Sequence, residues 1–531
     1  MLTSPTLTSP VLSPSVLSPH GAYSFRGSTS ISKQRIHQRS PLTYLPIEVM
    51  TEILQYLPDP ADLGNLLCTH RSLWHPVLMI LGERPLCLAP EGQGYEDQVR
   101  HLALSKDQEG YAVYVKRLHL DLSSILADQT LDHVSTLLHH LPNLTHLTLK
   151  LPSSLASSVL DYMFRLLGML EKQLPGLVAL QVDLAPGVVP FSSPRANIPP
   201  TPPLLPKLRR WESPIHGPRE ALWIAQAAPN LTHVTWHFSP EYMESENELV
   251  QALFLLPRLH DLKLLGVPNG AESLAASRFC PELSRLTVHE RDWERDHWTL
   301  LGPALHARSL YLARALSLWS REGGSIQCPS SPGLTHLDLS VPMDVTSSYA
   351  LSQVFAPTLV HLTLRYAFSV TVASVIWPRL QSFQLYGCHL LDISASWTLF
   401  PCLQSLSVIG QVSVQKGHGL SPALCPVLKD LLVSQANLLT LYAMLHLVIP
   451  SSTTRVRIHG MNFEGDDAGR LCAERGVLRM QLDDSTPLSI AIAFLEELIR
   501  SYRGRIPQAL SIRIPSSYHG LIHDLDNHVY S

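Results

Sequence analysis

The stretch PNLTHLTL, Pro142 to Leu149, decides the fold, because it recurs along the chain. Copies begin at Pro175 (PGLVALQV), Pro206 (PKLRRWES, a weak one), Pro229 (PNLTHVTW), Pro257 (PRLHDLKL) and Pro281 (PELSRLTV). Others follow at Pro332 (PGLTHLDL), Pro357 (PTLVHLTL), Pro378 (PRLQSFQL), Pro401 (PCLQSLSV) and Pro426 (PVLKDLLV). From Pro332 onward the starts lie 21 to 25 residues apart. In each copy the last two apolar residues alternate with polar ones, which places them on one face of a short strand. The proline ends a preceding helix, since the residue before it is pushed out of the helical region. DHVSTLLHHL (Asp132–Leu141) and SENELVQALFLL (Ser245–Leu256) are read as two of those helices. One unit cannot bury its apolar face alone, whereas stacked units share a continuous core.

L-x-x-L-x-L at a period of roughly 20–29 residues is the signature of a leucine-rich repeat, and the chain resembles that family from about Val115 to Leu432. The resemblance implies an α/β repeat, a solenoid over 114–450 with strands on a concave side and helices or loops on the other. YVKRLHLDL near Val115 reads as an earlier copy, and the wide step between Pro281 and Pro332 is read as hiding a degenerate unit at PALHARSLYL, from Pro303. TRVRIHG, GVLRMQL, PLSIAIAFLEELIRSY and ALSIRIP, within 451–531, read as strand, strand, helix and strand of degenerate repeats that cap the array.

Ahead of the repeats stands LPIEVMTEILQYLPDPADLGNLLCTHRSLWHPV, from Leu45. Ile47, Met50, Ile53, Leu54 and Leu57 recur at helical spacing, and Pro58 stops that helix. Asp59 is read as the cap of a second helix with Leu63, Leu66 and Leu67, and SLWHPVLMIL as a third, interrupted by Pro76. Leu45-Pro46-x-Glu48-Val49, Ile53-Leu54, Leu57, Asp62-Leu63, Leu66, Cys68, Arg71 and Trp74 resemble the F-box pattern. That resemblance implies a three-helix F-box over 41–82 that docks on the Skp-type adaptor of a cullin–RING (SCF-type) ubiquitin ligase. Its implied anchors are Leu45, Pro46, Ile53, Leu54 and Leu57, supported by Leu63, Leu66 and Trp74; the sequence leaves open which of them face the adaptor and which the internal core. Residues 83–113 are read as a linker. The implied protein is a non-catalytic substrate receptor for protein degradation; the alternative is a repeat scaffold without a ligase role, its helices only a cap.

The strand pattern also predicts which side chains face a substrate. The column before the second leucine includes His146, Arg210, His233, Asp261, Arg285, His336 and His361; a parallel column carries Lys150, His237, His289, Arg365 and Tyr386. His146, Arg210, His233, Arg285, His336, His361 and Arg365 are the candidate substrate contacts, suited to an acidic or phosphorylated segment; the alternative is a solvated polar strand face.

The remaining features exclude classes. Net charge is −4, with 40 Lys+Arg against 44 Asp+Glu, which argues against a general nucleic-acid binder. The eight cysteines show no C-x-x-C spacing, so no zinc ribbon is expected, and reduced thiols in a cytoplasmic or nuclear protein are. The first twenty residues lack a signal-peptide pattern, and the longest apolar run, Leu438 to Ile449, is too short to span a membrane. Residues 1–40, with Ser-Pro at Ser4, Ser9, Ser13 and Ser18, are read as a disordered tail, and 185–206 as a Pro-rich loop. HERDWERDHW (His289–Trp298) begins like H-E-x-x-H but has Trp293 where the second histidine belongs, so it is read as an exposed loop. With no Walker loop, nucleophile elbow or triad spacing, neither catalysis nor a cofactor or metal is expected.

Overall fold

A computed structural model describes residues 45–57, 59–67, 73–90, 95–105, 111–126, 129–152, 155, 159–184, 202–215, 217–238, 247–291, 303–319, 333–371, 375–388, 390–393, 400–410, 413–416, 427–435, 438–447, 454–460, 465–474, 477–482, 486–502 and 510–513. The expectations for the Ser-Pro tail, for Pro58, Cys68 and Arg71, for most of the Pro-rich loop and for 292–298 lie outside these residues. The chain divides into two compact units, 1–208 and 209–531.

The first unit opens with three helices, α1 (Ile47–Gln55), α2 (Pro60–Leu67) and α3 (Trp74–Glu83). Pro76 does not interrupt the third. It lies in its first turn, where the backbone N–H has no helical partner to lose. The stretch read as a linker is structured: β1 (Pro85–Leu88), α4 (Tyr95–Ser105) and α5 (Tyr111–Tyr114) precede β2 (Arg117–Asp121). Then follow α6 (Thr130–His140), β3 (His146–Leu151), α7 (Val159–Gln173) and β4 (Ala179–Leu184). The strands pair in chain order, all parallel, with Leu86, Leu118, Leu147 and Leu180 in one register row. The helices are joined to this sheet at Gly82, whose carbonyl accepts from Lys116 N–H at 2.9 Å. A Cβ on Gly82 would lie 1.9 Å from the Tyr114 carbonyl oxygen, so only glycine permits that approach.

The second unit continues the alternation: β5 (Arg210–Ile215), α8 (Pro218–Ala227), β6 (His233–Phe238), α9 (Asn247–Phe254), β7 (Asp261–Val267), α10 (Gly270–Ser277) and β8 (Arg285–Glu290). The expected strand at Pro303 is instead a helix, α11 (Pro303–Ser317), and β8 pairs directly with β9 (His336–Ser340). The wide step is thus one long unit. Ala, Arg and Leu in PALHARSLYLARALS favour helix, and the Leu spacing alone does not outweigh them. Next come α12 (Val345–Phe355), β10 (His361–Arg365), β11 (Ser369–Thr371), β12 (Ser382–Tyr386), β13 (Leu390–Ile393), β14 (Ser405–Ile409), β15 (Ser413–Lys416) and β16 (Asp430–Ser434). The unit ends with α13 (Leu438–Leu447), β17 (Arg455–His459), α14 (Gly465–Glu474), β18 (Arg479–Leu482), α15 (Leu488–Ser501) and β19 (Ser511–Arg513); α14 was not anticipated.

β5, β6, β7, β8, β9, β10, β12, β14, β16, β17, β18 and β19 form a parallel ladder in that order, while β11, β13 and β15 form a second, three-stranded parallel sheet. The small sheet stands where other units have a helix. SVT, LLDI and SVQK hold β-branched residues that favour strand over helix. Along the main ladder the second and fourth residues of every strand but the three-residue β19 are buried, such as Val234 and Trp236, Leu262 and Leu264, Leu362 and Leu364. Immediately after five successive strands the backbone turns through the left-handed region, at Tyr366, Gly387, Gly410, Gln435 and Gly460. There the N–H groups of Tyr366, Gly387, Gly410 and Gln435 donate to the next strand's last residue at 2.6 to 2.9 Å, which extends the ladder by one rung.

Candidate interaction surfaces

Two surfaces draw together the residues singled out in the sequence. The first is the trio of helices. Met50, Leu54, Leu63, Leu73, Val77 and Ile80 fill its core, with Leu57, Leu66 and Leu81 packed against it. Leu54 and Leu63 are therefore internal supports and not contact residues. Leu63 has no exposed surface at all. Pro46 is exposed, and Leu45 half-buried. Ile53 (45% exposed) and Trp74 (52%) stand outward, joined by Val49, Tyr56 and Met79, which the sequence reading did not nominate. Val49, Ile53 and Tyr56 follow i, i+4, i+7 spacing and so share one face of α1. That spacing was legible, but a helix with apolar residues on two sides does not announce which side is outward. Arg84 donates to the Leu57 carbonyl at 2.6 Å, which ties the C-terminal end of α1 to the residue after α3.

The second surface is the open face of the ladder. The predicted columns are real register rows: Arg210, His233, Asp261, Arg285, His336 and His361 are consecutive Cα partners. His146 occupies the same place on β3 in the first unit. The columns differ sharply in charge state. Arg365 donates to both Asp338 oxygens, at 2.9 and 3.0 Å, and its guanidinium lies 4.6 Å from the centre of the Tyr386 ring. His289 reaches the same carboxylate at 3.3 Å. Burial pushes the Asp338 carboxyl up, but hydrogen bonds from His289 and Arg365 outweigh it and hold the group below the usual carboxylate range. Arg365 is thus neutralised within the sheet, and its nomination as a free substrate contact is corrected.

His233, His336 and His361 are not cationic at neutral pH either. The rings of His336 and His361 stack with centroids 4.3 Å apart. Burial, the neighbouring His361 and the Arg285 charge bring His336 down to about 4. Burial and Arg285 lower His361, while burial and Arg210 lower His233. A recurrent Thr-His pair adds a fixed tautomer. Thr145, Thr232 and Thr335 each donate their hydroxyl to the carbonyl of the residue just before the preceding strand (Lys116, Arg209 and Ser284) at 3.0 to 3.1 Å and lie 2.8 to 2.9 Å from Nδ1 of the following histidine. A hydroxyl has one proton, and the carbonyl takes it; Nδ1 must then be the donor to the oxygen. Nε2 of His233 and His336 is left with its lone pair, an acceptor and not a charge.

Positive charge on this face comes from elsewhere. Among the described residues, Arg210 and Lys263 carry no carboxylate partner, and neither does Arg285. Further along the ladder, Arg455 and Arg457 lie 3.9 and 4.0 Å from Asp430.

The other motifs resolve into structure. Glu290 of the HERDWERDHW run is buried, accepts from Gly270 N–H at 3.0 Å and pairs with Arg308. Ser309, His306 and Asp344 meet, but Asp344 binds both of the others and caps α12, and Ser309 is fully buried, so no nucleophile is presented. No group of three or more His, Cys, Asp or Glu side chains among the described residues is arranged to hold a metal. Cys87, Cys280, Cys388, Cys402 and Cys472 are free thiols; burial pushes Cys280, Cys388 and Cys472 up to about 12. No described helix is long and apolar enough to cross a membrane. In comparisons with known proteins, the chain matches no family model and no curated sequence.

Proposed function

We propose that this chain is a substrate receptor of an SCF-type cullin–RING ubiquitin ligase, with α1–α3 acting as an F-box and the parallel ladder as a leucine-rich-repeat solenoid that holds the substrate. One observation carries the reading: the three helices complete an internal core and still leave Val49, Ile53, Tyr56 and Trp74 exposed. A helical trio that served only to cap the array would turn its apolar side chains inward. Exposed apolar residues at helical spacing, on helices whose sequence carries the F-box pattern, suit a helix-in-groove contact with a Skp-type adaptor. The receptor itself performs no chemistry in this scheme. It accelerates ubiquitin transfer by holding the substrate near the ligase, in a cytoplasmic or nuclear setting. The test is capture of a purified Skp-type adaptor by the full chain. Stoichiometric binding is expected; an adaptor that elutes free would leave a repeat scaffold in place of a receptor.

A further inference from the structure

We infer that the open face of β5–β8 binds an extended, carboxylate-bearing peptide segment of a partner protein, with acidic residues four apart and a hydrogen-bond donor midway between them. The inference rests on the receptor reading only in calling that partner a substrate.

The argument begins with spacing. Arg210, His233, Asp261 and Arg285 occupy one register row on four adjacent strands. Neighbouring strands lie about 4.8 Å apart, so the two arginines are separated by about 14 Å. An extended peptide rises about 3.3 Å per residue, and residues i and i+4 on one edge stand about 13 Å apart. A chain that crosses the strands thus places one carboxylate on each arginine. Both side chains are exposed and, among the described residues, neither has a carboxylate partner. Each stands alone, which fits the single charge of a carboxylate better than a doubly charged phosphate. Lys263, one strand from Arg285 and two residues along, strengthens the positive potential at that end. Glu212, two residues beyond Arg210, leans to His237 at 4.0 Å instead.

The middle of the row sets the remaining specificity. Residue i+2 falls about 6.7 Å along, between His233 and Asp261. His233 offers the Nε2 lone pair, because Nδ1–H is held by Thr232. Asp261 offers acceptors and repels a third acid. Asn, with two N–H donors, satisfies both, Ser or Thr satisfies one of them, and Asp or Glu satisfies neither. The neighbouring patch, with Asp338, Arg365 and His289 already paired, offers no comparable demand.

The experiment uses the full chain and three fluorescein-labelled peptides: GDASADG, its isomer GDADASG, and a phosphoserine version with phosphoserine in place of each Asp of the first. Binding is read by fluorescence anisotropy. The first peptide is expected to bind at least fivefold tighter than its isomer. Arg210→Ala with Arg285→Ala should weaken it about tenfold, while Arg479→Ala, in the same column at β18, should leave it unchanged. Circular dichroism of each variant confirms folding. Equal binding of both isomers, no binding of either, or an unaffected double variant would overturn the proposal, and so would tight binding of the phosphoserine peptide alone. Adaptor capture on the same samples reads the ligase role separately.

Discussion

Replacing Trp74 or Ile53 by alanine should weaken partner docking without unfolding the helices, whereas replacing Leu63 should destabilise the helices themselves. A Trp side chain presents about 150–250 Å² of surface. With 52% of Trp74 exposed, a partner that covers it buries about 80–130 Å², or about 2–3 kcal/mol at about 25 cal/mol per Å². That corresponds to a loss of roughly 30- to 200-fold in affinity, an upper figure because docking also orders side chains. For Ile53, with 45% exposed, the same arithmetic gives about 1 kcal/mol and roughly fivefold. Leu63 is fully buried, so Leu63→Ala should cost about 2–5 kcal/mol of stability, a large share of what three short helices possess. The assay is titration of the adaptor by isothermal calorimetry, beside chemical unfolding of each variant. Wild-type affinity in both Trp74→Ala and Ile53→Ala would refute the assignment of this face, and unfolding in either would refute the division between core and surface.

Three further outcomes follow from the ladder. His233, His336 and His361 bind a proton less readily folded than unfolded, so the unfolded chain holds more protons on acidification from the usual histidine value toward about 4. Stability should therefore fall with pH through that window and stay flat above it, and His336→Gln should flatten the slope of melting temperature against pH. Gly410 has φ +97° and Gln435 φ +52° at equivalent turns; Gly410→Ala should destabilise by about 1 kcal/mol and Gln435→Gly should stabilise by a similar or smaller amount in urea unfolding. Asp338→Asn removes the charge that Arg365 and His289 share and turns one of its two acceptor oxygens into a donor, and should cost about 1–3 kcal/mol at pH 7. Because the folded carboxyl titrates low, the gap between variant and wild type should close as pH falls below the ordinary carboxylate range.

The ladder was legible because its signal is repeated: each L-x-L pair fixes two inward side chains, and errors in one copy do not propagate. Where a unit departed from the pattern, local propensity decided and the spacing misled, as at Pro303, where helix-forming residues carry leucines that have nothing to do with a strand. The small sheet of β11, β13 and β15 was missed for the opposite reason, since three or four residues are too few to show a period.

The open face shows a subtler limit. Reading columns placed the nominated histidines and arginines on register rows of the strands but summed their charges as if each stood alone. Asp338 was visible in the adjacent column, one strand before Arg365, so its neutralising role was within reach of the register. The histidines were not: their neutrality depends on ring stacking and partial burial, and their tautomers on a threonine hydroxyl whose proton is already committed to the carbonyl just before the preceding strand. What recognises a partner here is thus the residue of a subtraction. Arg365 is spent on Asp338, the imidazoles of His233 and His336 are neutral acceptors, and the attraction that remains on β5–β8 belongs to Arg210, Lys263 and Arg285, which among the described residues have no carboxylate partner.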